Sequence, residues 1–176
     1  MRIVGGKYKG RHFTPGKKFS ARPTTDMAKE SLFNILQNSI DFEAIKVLDL
    51  FAGTGSISFE FASRGCTDIT AVEINFGHVA FIKETINKLQ EQHVRVIKTN
   101  AFVFAEHYHE QYDLIFADPP YDMPKFGDVP DLVLKNNLLK EDGLFILEHS
   151  GAYDFSKHPR FKDLRRYGSV HFTFFR

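Results

Sequence analysis

The stretch that most constrains the fold is residues 47–58, which reads Val-Leu-Asp-Leu-Phe-Ala-Gly-Thr-Gly-Ser-Ile-Ser. An apolar run at residues 45–50 has the length and β-branched content of a buried parallel strand. Gly53 and Gly55 then permit a tight turn in which the main chain can approach a ligand closely. Ser56 is placed to cap a following helix. The stretch therefore predicts a strand, a ligand-binding turn and a helix.

The residues around this turn exclude two other glycine-rich turns. A P-loop requires a lysine after its last glycine, and none follows Gly55. The dinucleotide fingerprint requires a third glycine, and Ser58 in that position argues against an NAD-dependent oxidoreductase. Asp49 precedes the turn, and Glu73 ends the next apolar run, where a carboxylate can bind a ribose hydroxyl. This combination matches the S-adenosylmethionine (SAM) pattern of class I methyltransferases.

The rest of the chain alternates between short apolar strands and amphipathic helices. Strands are expected at residues 45–50, 69–73, 94–98, 112–118 and 144–148. Helices are expected at residues 26–37, 57–64, 77–89, 101–106 and 128–135. Such alternation predicts an α/β, Rossmann-like, doubly wound sheet that is mostly parallel and binds ligands at the carboxyl ends of its strands. Two further strands at residues 161–166 and 170–175 would add a C-terminal antiparallel hairpin, for seven strands in all.

The sequence Asp118-Pro119-Pro120-Tyr121 follows one of these strands and is the candidate catalytic segment. The two prolines fix the backbone and lack amide hydrogens, so the turn presents carbonyls without competing donors. The Asp118 carboxylate and a nearby carbonyl can hold an exocyclic amine with its lone pair toward a methyl donor, and Tyr121 can stack on a flipped base. Positioning does most of the catalysis here, because well-oriented groups can remove about 7–11 kcal/mol of a barrier.

The N-terminal residues are strongly basic, although the whole chain has a net charge of only +1. We expect residues 1–21 to form a basic β-hairpin extension, with a strand near residues 11–14, on a methyltransferase domain at residues 22–176. Cations beside an aromatic ring suit phosphate contact and base stacking, although solvated surface charge is the alternative interpretation. The predicted RNA-binding residues are Arg2, Lys7, Tyr8, Lys9, Arg11, Lys17 and Lys18.

The segment Arg-Pro-Thr-Thr-Asp at residues 22–26 leads into the first helix, which Thr25 or Asp26 can cap. The first amides of that helix could cover one side of a cofactor or hold a phosphate. Arg22 and Thr24 are therefore candidate cofactor-binding residues, with ordinary capping as the competing explanation.

Composition excludes several other classes of protein. The single cysteine, Cys66, cannot form an internal disulfide and suits a reducing compartment. No apolar stretch approaches membrane-spanning length and the N-terminus lacks a signal-peptide core, so we expect a cytoplasmic protein. His107 and His109 have no further ligands at convincing spacing, so no metal is expected.

The chain as a whole resembles the RsmD family, the guanine-N2 methyltransferases of small-subunit (16S) rRNA. Gly-x-Gly and Asp-Pro-Pro-Tyr are shared by many amino-methyltransferases, so other stretches narrow the resemblance to this family. They are Arg-Ile-Val-Gly-Gly-Lys-Tyr-Lys-Gly-Arg at residues 2–11, Arg-Pro-Thr-Thr-Asp at 22–26 and Glu-Ser-Leu-Phe-Asn at 30–34.

The resemblance implies SAM as cofactor and rRNA in a partly assembled small ribosomal subunit as partner. The methionine end of SAM would be held by Asp49, Phe51, Ala52, Gly53, Thr54, Gly55 and Ser56. Glu73, beside Ile74, would bind the ribose, and Asn100 and Ala101 would flank the adenine. The target guanine would lie against residues 118–121. Asn100 stands where the family usually has aspartate, and Met27 where it often has arginine.

Three alternatives use the same motifs. A DNA adenine-N6 or a protein glutamine-N5 methyltransferase shares the proline-proline turn, and a non-catalytic RNA-binding protein could share the fold. The basic N-terminus argues against a protein substrate, and the lack of a separate target-recognition domain argues against sequence-specific DNA methylation. An intact Asp118 turn argues against a protein that has lost catalysis.

Overall fold

A computed structural model describes residues 1–16 and 25–176, and its centre is one seven-stranded sheet. The strands are β1 (Lys46–Leu50), β2 (Asp68–Glu73), β3 (Val94–Lys98), β4 (Tyr112–Ala117), β5 (Leu139–His149), β6 (Phe161–Tyr167) and β7 (Val170–Phe175). They are ordered β3-β2-β1-β4-β5-β7-β6. Strands β1 to β5 pair in parallel, and β7 runs antiparallel to β5 and β6. The predicted fold class is confirmed, including the C-terminal hairpin.

Within the described residues, five α-helices connect or precede the strands. They are α1 (Asp26–Leu36), α2 (Ser56–Ser63), α3 (Phe76–Leu89), α4 (Ala101–His107) and α5 (Val129–Lys135). Their bounds lie within a few residues of those expected from apolar periodicity. Thr25 caps α1 as predicted, because its hydroxyl oxygen accepts a hydrogen bond from the Ala28 amide at 3.2 Å.

The sheet separates two apolar cores, and successive residues of a strand point alternately into each. In β1, Val47 packs into the core that contains α1, α2 and α3, whereas Leu48 packs into the core that contains α4 and α5. Burial on both faces explains why the central strands are continuous apolar runs. The same alternation directs Asp49 to the α2 side, where Ser58 donates to its carboxylate.

Strand β5 begins earlier than the expected residues 144–148. Leu139 pairs with Tyr112 and Leu144 pairs with Leu114, so the intervening residues of β5 form an irregularity in the ladder. These residues, Lys-Glu-Asp-Gly at 140–143, are polar and indicate a loop when only the sequence is considered.

The N-terminal segment folds back on itself but does not form the expected hairpin strands. Its antiparallel pairing consists of a bridge between Arg2 and His12 and of main-chain hydrogen bonds that join Ile3 to Arg11 and Met1 to Phe13, around a 3-10 turn at Gly6–Tyr8. Gly6 has φ +70°, and a Cβ atom there would lie 1.9 Å from the Ser63 carbonyl oxygen. Contact with α2 therefore determines the shape of this turn, which a hairpin pattern in the sequence cannot reveal. The division into domains at residues 21 and 22 remains a prediction.

The helices of the described residues are all too short or too polar to cross a membrane.

Candidate active site

One cavity of about 690 Å³ opens at the carboxyl ends of the parallel strands. It brings together most of the predicted site. The predicted cofactor residues that line it are Asp49, Phe51, Ala52, Gly53, Thr54, Ser56, Glu73 and Ile74. All four predicted catalytic residues, Asp118, Pro119, Pro120 and Tyr121, line it as well. The glycine turn and the proline turn therefore share one space.

The glycine turn after β1 has an unusual backbone. Phe51, Gly53 and Gly55 have φ values of 64°, 54° and 75°, in the left-handed region. For a non-glycine residue such as Phe51 this costs about 1–3 kcal/mol and is typical of ligand sites. Gly55 is not among the cavity-lining residues. A Cβ atom on Gly55 would lie 3.0 Å from the Phe59 ring and 3.1 Å from Ile82, so this glycine permits close packing of α2 and α3.

The prediction that Ser56 caps α2 is wrong. Gly55 occupies the capping position without a side-chain hydrogen bond, because the left-handed turn places Ser56 inside the helix. The Ser56 hydroxyl instead accepts a hydrogen bond from the Lys29 ammonium at 3.0 Å. Helix α1 is thereby joined to the wall of the cavity.

Glu73 holds the glycine turn in place. Its carboxylate accepts hydrogen bonds from the Gly53 amide and the Asn75 amide, both at 2.7 Å. His78, whose ring nitrogen lies 3.6 Å from the same carboxylate, also lines the cavity. Glu73 can therefore fix the loop and still present carboxylate oxygen at the cavity wall, where the sequence predicts a ribose.

The carboxylates of Asp49, Glu73, Asp118 and Glu148 line the cavity on the α2 side of the sheet. Asp49 is 2% exposed, and burial together with the charge of Glu73 raises its pKa to about 7, against the opposing hydrogen bonds from Ser58. Burial, and then the charges of Glu148 and Asp49, raise the pKa of Asp118 well above its ordinary value. The cavity thus concentrates negative charge and favours a cationic ligand.

Tyr121 is fixed by aromatic and polar contacts. Its ring packs edge-on against Phe126 at 6.2 Å between centroids, and its carbonyl accepts a hydrogen bond from the Tyr153 hydroxyl at 3.1 Å. Its own hydroxyl lies 3.4 Å from a Glu148 carboxylate oxygen. The ring is half-buried and borders the cavity, as a base-stacking residue requires.

Other predicted residues lie outside this cavity. Asn100 and Ala101 are not among the described residues that line the cavity. The Asn100 side chain caps α4 by accepting a hydrogen bond from the Phe102 amide at 2.8 Å, and Ala101 is buried. Arg22 and Thr24, predicted to bind the cofactor, and Lys17 and Lys18, predicted to bind RNA, lie outside the described residues.

The remaining predicted RNA-binding residues divide into two groups. Lys7 and Tyr8 both contact Glu91, the ammonium at 3.1 Å and the hydroxyl at 2.8 Å, and thereby attach the N-terminal turn to the end of α3. Arg2 forms an ion pair with Asp26 at 3.5 Å. Lys9 and Arg11 are exposed and are better placed to contact a phosphate.

Sequence reasoning missed several residues of the cavity wall, namely Met1, Pro15, Ile57, His78, Phe116, Asp122 and Val170. Glu148 also lines the cavity and is not among the predicted site residues. Strand alternation carries a signal for Glu148, because two-residue spacing from Ile146 places it on the same face as Asp49. No local sequence pattern predicts that the N-terminal segment lines the cavity, since Met1 reaches it only through tertiary contacts.

Comparison with known proteins agrees with this geometry. The family model described as conserved hypothetical protein 95 matches residues 1–176. The small-subunit ribosomal RNA methyltransferase D of Buchnera aphidicola is 34% identical over 86% of this chain and 77% of its own length. The Escherichia coli protein of that name is 29% identical over 84% and 74%. A solved Escherichia coli structure, yhhF, with a proposed methyltransferase activity, superposes with a TM-score of 0.85 at 25% identity, covering 99% of this chain and 96% of its own.

The sheet order and the shared cavity of the two turns define a class I methyltransferase. The chain belongs to the conserved hypothetical protein 95 family, which corresponds to the RsmD family that the sequence resembles.

Proposed function

We propose that this protein transfers a methyl group from SAM to the exocyclic N2 amine of a guanine in small-subunit rRNA. The observation that carries this proposal is the position of the Asp118 turn and the Gly53 turn on one cavity. Family membership supports the broader activity, SAM-dependent methylation of rRNA. The Asp118 turn suits an exocyclic amine as the acceptor, and the resemblance to the RsmD family suggests that this amine is N2 of guanine.

The residues of the cavity fit the cofactor. SAM, when bound, supplies a methyl group on a positively charged sulfur. Asp49, Glu73, Asp118 and Glu148 surround the space with carboxyl groups, which favour that charge. Residues 49–56 would hold the methionine end and Glu73 the ribose. Asn100, Ala101, Arg22 and Thr24 remain proposed contacts on the adenine side and the outer side of the cofactor.

Asp118 positions the acceptor. Its carboxyl group and a main-chain carbonyl of the proline turn accept hydrogen bonds from the two N2 hydrogens, so the nitrogen lone pair faces the methyl carbon. Bound SAM would supply the methyl group in exchange for its bond to sulfur, and Asp118 or water would accept the proton that N2 loses. Tyr121 supports the base by stacking on its face.

The RNA would approach across the exposed cations of the N-terminal segment, with Lys9 and Arg11 as its phosphate contacts. Met1 and Pro15 extend that segment to the rim of the cavity, so RNA bound there would lie beside the target base. A partly assembled small subunit is the proposed substrate, which agrees with the cytoplasmic location expected from the sequence.

A DNA adenine-N6 or protein glutamine-N5 methyltransferase is the second candidate, favoured by the same Asp118 turn. The two candidates are separated by the product. Mass spectrometry of rRNA from cells lacking this protein should show the loss of one N2-methylguanine. Wild-type protein should restore it, whereas Asp118→Asn should not.

The matched control is Asp142→Asn, an exposed aspartate in the irregular part of β5. This variant should restore the methylated guanine fully. An unchanged rRNA methylation pattern in the deletion strain would overturn the proposed function.

A further inference from the structure

Glu148 lies beside Asp118 because of the register of β4 and β5. Phe116 pairs with Ile146 and Ala117 pairs with Leu147 in a parallel ladder. The residue that follows Ala117 is Asp118, and the residue that follows Leu147 is Glu148. Side chains alternate across a strand, so both carboxyl groups point to the same face as the side chains two residues before them. Both residues line the cavity.

The position of Glu148 is more enclosed than that of an ordinary surface glutamate. It is 3% exposed, and the Tyr121 hydroxyl approaches one of its carboxylate oxygens at 3.4 Å. Two neighbouring carboxyl groups in a buried site repel each other when ionised, and the charge of Glu148 is one reason that the pKa of Asp118 is raised. A ligand that presents two adjacent N–H donors would relieve this repulsion.

Guanine presents that pattern on its Watson–Crick edge, where the N1–H group and the N2 amine are neighbouring donors. Adenine presents an N1 acceptor beside its N6 amine, so its N1 lone pair would face a carboxylate oxygen. Enzymes that act on a flipped base read this edge by hydrogen bonds. A site built to accept a hydrogen bond strongly rejects an analogue that lacks the donor, because buried polar groups are then left unpaired.

We propose that the Glu148 carboxylate accepts a hydrogen bond from N1–H of the target base while Asp118 holds the N2 amine, so that Glu148 selects guanine over adenine-like purines. This inference rests on the proposed function of the same cavity. It assigns a specificity role to a residue outside the proline turn.

The test uses 2-aminopurine, which keeps the N2 amine but has an unprotonated N1. A small-subunit rRNA fragment in a reconstituted subunit would carry guanine or 2-aminopurine at the methylated position. Wild-type protein should methylate 2-aminopurine about 10- to 100-fold less efficiently than guanine in kcat/KM. Glu148→Gln should lose efficiency on guanine by about tenfold, because a neutral amide oxygen accepts a weaker hydrogen bond from N1–H than a carboxylate does.

The decisive readout is the ratio of the two purines. In Glu148→Gln the amide nitrogen can donate to N1 of 2-aminopurine, so activity on this base should be retained or increase and the preference should collapse or reverse. The Tyr121 hydroxyl can still contact the glutamine side chain. Calorimetric SAM binding should remain within about threefold of wild type, and the exposed Glu141→Gln should leave the ratio unchanged.

Two results would overturn this inference. An equal loss on both purines in Glu148→Gln would assign Glu148 a purely structural role. Wild-type protein that methylates both purines equally would show that N1–H is not read. Failure of the proposed function is recognised separately, because mass spectrometry of the wild-type product would then find the methyl group at an atom other than N2 of guanine.

Discussion

Glu60 and the carboxylates of the cavity lie on the α2 side of the sheet and differ in how their charge is balanced. Glu60 is completely buried and contacts both Lys29, at 3.3 Å, and Arg64, and it also accepts a hydrogen bond from the Val4 amide at 2.5 Å. Among the described residues, neither Asp49 nor Asp118 forms an ion pair with a basic side chain.

This difference distinguishes a carboxylate with a structural role, Glu60, from the carboxylates of the candidate active site. Glu60 joins the N-terminal segment, α1 and α2, and its charge is compensated within the protein. Asp49 and Asp118 have raised pKa values because they are buried and because other carboxylates lie close to them. A cationic cofactor would balance this charge. Buried carboxylates with raised pKa values in a cavity are therefore the electrostatic feature that indicates a ligand site.

The largest effect is expected from removing the compensated charge. Glu60→Gln would leave Lys29, which is 1% exposed, and the nearby Arg64 without their carboxylate. Breaking one partner of a buried pair costs about 3–5 kcal/mol. Urea denaturation should show this decrease in the free energy of unfolding.

The matched change in the cavity is Asp49→Asn, because it removes the same charge from an equally buried site. Its cost should be below about 1 kcal/mol near pH 8, since a carboxylate with a raised pKa is held ionised at a penalty. Equal destabilisation by the two variants would contradict the comparison.

The next effect concerns catalysis. Asp118→Ala should lower kcat by about 10²–10³-fold, because it removes a preorganised hydrogen-bond acceptor for the amine. SAM affinity, measured by calorimetry, should stay within a few-fold of wild type, since the glycine turn is held by Glu73. Parallel loss of affinity and turnover would instead place Asp118 in the cofactor site.

The pH dependence of SAM binding sharpens the comparison further. The pKa of Asp49 is raised to about 7, so the fraction that is ionised increases as pH rises through 7. A cation binds better to the ionised form, and its binding releases protons below that pKa. SAM affinity should therefore rise with pH by up to about tenfold per unit below pH 7 and level off above it.

S-adenosylhomocysteine provides the control for this prediction, because its sulfur is neutral. Its affinity should change less over the same range, and Asp49→Asn should flatten the SAM profile. Calorimetry from about pH 5.5 to about pH 8.5, expressed as the ratio of the two dissociation constants, measures the effect directly. A constant ratio would mean that the cavity charges do not act on the sulfonium.

Much of the fold could be predicted from the sequence, because apolar periodicity reports burial and burial on both faces defines the central strands. The bounds Val94–Lys98 and Val170–Phe175 agree with expectation at both ends. The position of Asp118 opposite the Gly53 turn also follows from parallel topology, since both lie at the carboxyl ends of strands.

Contacts between distant polar residues could not be predicted in this way. The pairing of Tyr8 with Glu91 and of Ser56 with Lys29 joins segments that are far apart in sequence, and neither partner has a local pattern. The composition of a run of cations is also the same whether each side chain pairs with a carboxylate of the protein or is available to bind a phosphate. Composition therefore predicts the same role for Lys7 and Lys9, although only Lys7 pairs with a described carboxylate.

The smallest expected effect tests that distinction on the N-terminal segment. Lys9→Ala with Arg11→Ala should reduce the slope of log affinity against log salt concentration for a small-subunit rRNA fragment by about 0.7–0.9 for each phosphate that is no longer neutralised. Lys7→Ala should change the slope less, because Glu91 already compensates its charge, but it should lower thermal stability slightly by releasing the turn. An equal change of slope for Lys7 and Lys9 would show that the ion pair between Lys7 and Glu91 opens when RNA binds. The contrast between compensated charges and charges that face a ligand would then apply only to the carboxylates of the cavity.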